Sequence, residues 1–348
     1  MSLRARTLRR LAALVFALLF AQVLMAQDGV VNTPPPPDPN ASAQDTPAQD
    51  EPATTIKARS NVVQVFFNVK DKHGSLVPGL TKGDFQILED GKPQTVKYFA
   101  AESDQPLTLG ILVDTSGSQE RVLGMEKEMG VLFLNRVLRD QDQAFLMNFD
   151  VNVELGQDFT SSKKLLKEAL EKTKINTGGG SCADLPGLGG GPVPCSSRGP
   201  RGTLLYDAVY LSAHEQLGHE VGRKAVILLT DGEDQGSRLK IRDAIEAAQK
   251  SDVICYVLLV ADRGVAMGFG GSEMHKMTEE TGGRTIDVGN KPDKLRDAFD
   301  QIAQELRSQY NIGFVPTNID TNGGYRKLEI KTKPDLKIQA RKGYYAIQ

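Results

Sequence analysis

The chain is poor in the groups on which most catalytic and nucleic-acid-binding proteins depend. His73, His214, His219 and His275 are its whole supply of imidazole in 348 residues. His73 falls in a turn signal and the other three on expected helices, so none stands at a strand end, where a triad would hold its base. Ser116, the serine that most resembles a nucleophile, lies in Asp-Thr-Ser-Gly-Ser without the G-x-S-x-G frame of a nucleophile elbow. No P-loop or G-x-G-x-x-G stretch opens a helix after a strand. The nearest approach, Gly268 to Ser272, lacks the third glycine at its spacing, which argues against a phosphate cradle. Lys and Arg, 42 against 44 Asp and Glu, form no basic stripe, so an electrostatic grip on nucleic acid is excluded.

Only three cysteines occur. In an exported protein Cys182 and Cys195, close together in a Gly/Pro-rich segment, are the natural disulfide pair. Cys255 lies in VICYVLLV, where a buried thiol acts as a small hydrophobe.

What is present begins with an export signal. Residues 1–26 place four arginines ahead of an uncharged apolar run from Leu11 to Ala26, the layout of a cleaved secretory signal ending at Ala26. An uncleaved anchor is the alternative, because the run is only slightly short of the ~20 residues that span a bilayer. Membrane contact is expected only through this segment, and the chain is expected in the periplasm, at the cell surface or secreted. Its removal takes the formal charge from −2 to −6. Residues 27–60 include VNTPPPPDPNASAQDTPAQDEPATT, too poor in large apolar side chains to offset ordering entropy, and read as a disordered Pro-rich linker.

Two rhythms follow. NVVQVFFNV alternates at period two, and FQILEDGKPQTVKYF carries a hairpin turn. Three or so strands within 61–104 are too few for a secure domain. Matching alternation returns in YNIGFV, YRKLEIKT and LKIQARKGYY, within 310–348. The two ends are therefore expected to meet in one small β-sandwich with a domain, 105–309, inserted into it. That middle part alternates apolar runs (107–113, 143–149, 151–155, 224–230, 253–260, 284–288) with helical stretches near 120–138, 161–173, 204–219, 238–250, 272–281 and 291–309. Continuous apolar strands separated by helices predict an α/β fold, Rossmann-like, with a mostly parallel six-stranded sheet covered on both faces. The short link at 150–152 predicts one antiparallel edge hairpin.

The chemistry concentrates at strand ends. In LVDTSGS, Asp114, Ser116 and Ser118 offer oxygens on alternate residues just beyond a strand, where a loop can curl them around one hard cation. Thr203 stands at a loop-to-helix junction, and AVILLTDGED ends a fully apolar strand at Asp231. If these strands are neighbours where the sheet reverses order, Asp114 and Asp231 face each other across the switch-point crevice, where α/β sheets bind ligands. Helix N-capping is the alternative role for each carboxylate.

At these residues the chain resembles the von Willebrand factor A (VWA) domain. The metal-ion-dependent adhesion site (MIDAS) of that family consists of D-x-S-x-S, a later Thr and an Asp after a central strand, and all five positions are filled here. The flanking GLTKGDFQILEDGKPQ and the aromatic-rich tail are similar to bacterial exported VWFA-related proteins. The resemblance implies that Ser116, Ser118 and Thr203 touch Mg²⁺ (or Mn²⁺ or Ca²⁺), while Asp114 and Asp231 act mainly through water. Neutral ligands leave the divalent charge poorly quenched, so an Asp or Glu carboxylate of a partner protein can fill the open position. The implied function is adhesion or assembly, not catalysis.

A metal-assisted hydrolase is the rival, and it would bring a general base and direct carboxylate or His ligands. A structural envelope protein with a merely stabilising metal is a third reading. Asp207 is expected as a solvated or capping carboxylate. Glu233 and Asp234 are expected as a solvated acidic turn, with a second cation as the alternative. The long segment 177–202 ends beside Thr203. A Cys182–Cys195 bridge would staple it into a rim loop that shapes partner choice, with Arg198 and Arg201 available for acidic ligands.

Overall fold

The computed structural model describes residues 62–101, 105–176, 202–261 and 269–346. The expected signal (1–26), the linker (27–60), the Cys182–Cys195 pair and Arg198 and Arg201 lie outside them.

The alternation of NVVQVFFNV becomes β1 (Val63–Lys70), which buries Val65, Phe67 and Val69. Asp90 and Gly91, both at positive φ, form the tight turn between β2 (Gln86–Glu89) and β3 (Lys92–Gln94). β4 (Val96–Ala100) completes the N-terminal part. The other end of the chain supplies β11 (Tyr310–Phe314), β12 (Tyr325–Lys331), β13 (Lys337–Ala340) and β14 (Gly343–Tyr345). They form two antiparallel sheets ordered β13-β1-β11-β4 and β14-β12-β2-β3. β1 pairs with β11 from Val63 opposite Phe314 to Phe67 opposite Tyr310. Phe67, Ile87, Ile312, Leu328 and Tyr344, drawn from both sheets, share one core. The run 336–345, expected as one strand, is two. Lys342 donates its N–H to Glu280 O (3.2 Å), and this draws the backbone out of the first sheet before β14 joins the second.

Between these flanks lies the six-stranded sheet: β5 (Leu107–Asp114), β6 (Gln143–Phe149), β7 (Val153–Thr160), β8 (Arg223–Thr230), β9 (Val253–Leu259) and β10 (Thr285–Asp287). Their order is β10-β9-β8-β5-β6-β7, parallel throughout except for β7, which runs antiparallel to β6 as its short link requires. Every residue of β5 and β8 is buried, the pattern of strands covered on both faces.

Residues of β5 alternate between two cores. Leu109, Ile111 and Val113 pack with side chains of α1 (Leu123–Val137), α2 (Lys163–Lys172) and α6 (Pro292–Arg307). Leu112 packs with α3 (Leu205–Leu211), α4 (Ile241–Lys250) and α5 (Phe269–Thr281). From β5 the chain moves outward to β6 and β7, then returns to lay β8 on the other side of β5, with Val113 opposite Leu229. The sheet thus changes direction between β5 and β8, and their C-terminal ends open a switch-point crevice.

A buried carboxylate couples the inserted sheet to the flanking strands. Glu305 of α6 accepts from Lys70 Nζ (2.8 Å) and Arg284 NH1 (2.9 Å) at Oε1, and from Gln339 Nε2 (3.0 Å) at Oε2. Glu305→Leu is expected to cost about 3 kcal/mol, because removing one partner of a buried pair strands the other charge. Lys70 and Arg284 are the charges left behind, and the side chain of Lys70 is only 14% exposed. Urea unfolding measures this, and a loss well under 1 kcal/mol would show that water replaces the carboxylate.

Candidate metal centre

Asp114 is the last residue of β5 and is fully buried. Its Oδ1 accepts from Ser116 N (3.0 Å), an Asx-type closure that turns the chain out of the strand. Its Oδ2 accepts from Thr230 Oγ1 (2.7 Å) at the end of β8. Thr115 holds the turn from the other side, donating its N–H to Phe149 O (2.8 Å) and its hydroxyl to Asp150 Oδ2 (2.7 Å). Ser116 then caps a short 3₁₀ turn over Gly117–Gln119, which brings Ser116 Oγ and Ser118 Oγ to 2.9 Å. Ser116 is buried and Ser118 exposed, so the hydroxyl pair leads from the buried carboxylate to solvent.

The second arm is Asp231, directly after β8 and 8% exposed. Gly232 follows at φ +86°, a conformation that costs little only without a Cβ, and Asp231 Oδ1 accepts from Glu233 N (3.1 Å). The buried Gln119 amide ties the two loops together. In the orientation its neighbours require, its oxygen accepts from Asp231 N and its nitrogen donates to Val260 O, each at 3.2 Å.

Thr203 supplies the third arm. It exchanges backbone hydrogen bonds with Gln235 (3.0 and 2.9 Å), and Leu204 N donates to Asp150 O (2.8 Å). Gly202 permits this approach, because a Cβ there would stand 2.7 Å from Gln235 O. The residues singled out in the sequence therefore stand on three loops at one end of the sheet, each pinned to a neighbour.

Electrostatics reinforce the grouping. Burial above all, together with the Asp231 charge, pushes the Asp114 carboxyl up to about 7, against hydrogen bonds from Ser116 and Thr230 that favour ionisation. Every oxygen the five residues present is hard, carboxylate or hydroxyl, without thiolate or imidazole. That donor set suits Mg²⁺ or Mn²⁺. Among the described residues no three His, Cys, Asp or Glu converge tightly enough to hold an ion by themselves, so the serine and threonine hydroxyls are integral to the fit.

The neighbouring acids have other duties. Asp207 accepts from Arg238 N (3.1 Å) and Leu239 N (3.0 Å), backbone groups of the loop ahead of α4. Asp234 accepts from Ser237 Oγ and Tyr206 N, which ties it to the first turn of α3 and leaves Glu233 as an exposed acid. All four histidines are exposed. Both described ends of the 177–202 segment lie at this rim. Asn176 donates its N–H to Thr115 O (2.9 Å) and its amide to Asp150 Oδ1 (3.2 Å), and Gly202 packs on Gln235.

Three contributors escape sequence reasoning. Thr230 and Gln119 carry no motif signal. Glu126 carries one in hindsight: it stands on the buried stripe of α1, Leu123, Glu126, Gly130, Phe133, Leu134 and Val137, where helical spacing calls for an apolar side chain.

No family model matches the chain, and no curated protein matches it. Among solved structures it is similar to the conserved hypothetical protein BatB from Bacteroides thetaiotaomicron, at 19% identity and a TM-score of 0.42, over 58% of this chain and 100% of that one. Proximal thread matrix protein 1 from the mussel byssus, with a zinc-occupied MIDAS motif, gives 19% identity and a TM-score of 0.44, over 62% of this chain and 48% of that one. The SpRpn10 VWA domain gives 11% identity and a TM-score of 0.38, over 56% and 94%.

Proposed function

We propose that the chain is an exported protein-binding module of VWA type, with a divalent cation, Mg²⁺ by preference, held by Ser116, Ser118 and Thr203 and, through water, by Asp114 and Asp231. When bound, the cation supplies an electrophilic point that takes an Asp or Glu carboxylate of a partner protein. The observation that carries this reading is the pair of hydroxyls 2.9 Å apart, one exposed, standing over the buried Asp114 whose carboxyl is pushed up by burial and by Asp231. Carboxylates arranged this way lack a positive charge. Hydroxyl ligands bring none of their own, so the cation stays attractive to an outside anion. The role is adhesion or assembly.

Affinity capture from a cell-envelope extract tests the proposal. Immobilised wild-type chain in Mg²⁺ is expected to retain a partner that EDTA releases and that Ser116→Ala/Ser118→Ala never retains. Capture that is indifferent to EDTA would overturn the metal-bridged mechanism.

A further inference from the structure

Glu126 sits in the first turn of α1 and is 2% exposed. Neither of its carboxylate oxygens has a hydrogen-bond partner among the described residues. Burial comes first among the causes that hold its carboxyl well above the usual range, and the charges of Asp114 and Asp231 follow; no positive side chain is among them. The helix of Glu126 follows directly on the Gly117–Gln119 turn, with Val122 N donating to Gln119 O and Glu126 N to Val122 O. The carboxylate is therefore buried behind the loop that carries Ser116 and Ser118, and no described side chain donates to it.

An unpaired buried carboxylate costs several kcal/mol. The helix N-terminus returns only a small part of this. An apolar residue on this stripe would avoid the cost altogether, as Leu123, Phe133, Leu134 and Val137 do. The remaining source of compensation is the cation that Asp114, Ser116, Ser118, Thr203 and Asp231 are arranged to hold.

Because among the described residues no three acidic side chains converge on an ion directly, the connection runs through the cation's own water. Mg²⁺ and Mn²⁺ keep several waters in protein sites, and a water bound to a divalent ion is a strong donor that needs an acceptor. Resting on the metal-site reading above, we propose that Glu126 is a positioning residue of that site: its carboxylate accepts from a metal-bound water on the buried side, opposite the face left open to a partner.

Two consequences follow from charge. Glu126 raises the affinity for the cation. It also adds negative charge behind the metal, which weakens the pull on an outside carboxylate. Removing it therefore moves the two affinities in opposite directions, which loss of packing does not do.

The test uses the full chain and Mn²⁺ followed by electron paramagnetic resonance, with acetate as the probe for the open position. Glu126→Gln keeps the shape and removes the charge. It is expected to melt in EDTA no lower than wild type, to bind Mn²⁺ tenfold or more weakly, as loss of an outer-shell partner does, and, once saturated with Mn²⁺, to bind acetate more tightly. If Glu126→Gln binds Mn²⁺ as wild type does while Asp114→Ala does not bind it, the role of Glu126 is overturned and the metal site stands. If wild type itself binds no Mn²⁺, both readings fall. If Glu126→Gln unfolds, Glu126→Met, apolar and of similar length, must show the same weakened Mn²⁺ binding in a folded chain; unchanged binding there overturns the proposal.

Discussion

Ser116→Ala/Ser118→Ala is expected to erase the rise in melting temperature that Mg²⁺ gives the wild-type chain while leaving the metal-free protein almost as stable as before. A ligand that binds only the folded state stabilises it by about 2.7 kcal/mol at a hundredfold excess over its Kd. For an α/β unit of this size that is roughly 5–10 °C. The two hydroxyls are the site's adjacent neutral donors, and alanine offers a cation nothing in their place. The metal-free cost is small because the Ser116 and Ser118 hydroxyls have each other as partners and Ser118 already faces solvent. One exchanged hydrogen bond of this kind is worth about 1 kcal/mol.

Asp114→Asn should lose the same Mg²⁺ response with the opposite effect on the metal-free chain. The amide oxygen still accepts from Ser116 N, the amide nitrogen donates to a reoriented Thr230 hydroxyl, and the buried charge is gone. Differential scanning calorimetry with and without Mg²⁺ separates these cases. Equal shifts in wild type and both variants would place the cation elsewhere.

The parts of the site that can be read in the sequence are those fixed by local backbone geometry. D-x-S-x-S alone is a common pattern and gains its weight from Thr203 and Asp231; its local part, a turn out of the strand, is legible, and the Asp114–Ser116 closure makes that turn. Asp231 is legible because a fully apolar strand that stops at Thr-Asp-Gly must end at the sheet's rim. That β5 and β8 are neighbours is only a condition of the sequence reading, and the parallel pairing of the two strands meets it.

What stays hidden depends on contacts between distant segments. Glu305 meets Lys70 across 235 positions, and neither residue differs by itself from an ordinary surface charge. The division of 336–345 into β13 and β14 is set by Glu280, some 60 residues upstream. Glu126 is an intermediate case: its helical period is visible, yet a glutamate on a 15-residue helix reads as solvated until the buried stripe is known.

The sharpest consequence of the crevice is a pH dependence with an unusual sign. In EDTA, wild-type stability is expected to fall as the pH rises from about 4 to about 7. The Asp114 carboxyl has its ordinary value of 3.8 in the unfolded chain and is pushed up to about 7 in the metal-free fold, by burial first and by Asp231. Below 3.8 both states hold the proton and the group contributes nothing to the dependence. Between the two values the folded chain keeps a proton that the unfolded chain has released, so each pH unit costs about 1.4 kcal/mol. Over the window the loss has an upper bound of roughly 4 kcal/mol, and above about 7 it levels off.

Glu126, raised by burial, Asp114 and Asp231, acts in the same direction. Asp84 has the opposite sign, since its carboxyl is lowered to about 2 by hydrogen bonds from the Thr81 backbone and from Lys333, and its contribution disappears only as the pH falls toward that value. The acid limb therefore lies below the window and does not mask it. Saturating Mg²⁺ takes the place of the proton, so its stabilising effect should grow across the same interval, and Asp114→Asn should make the curve in EDTA shallower, leaving the part that Glu126 contributes. Urea midpoints from pH 4 to 8, with EDTA and with Mg²⁺, measure all three. A wild-type curve in EDTA that is flat or rising from pH 5 to 7 would mean that Asp114 ionises without a cation, and the crevice would then have no need of one.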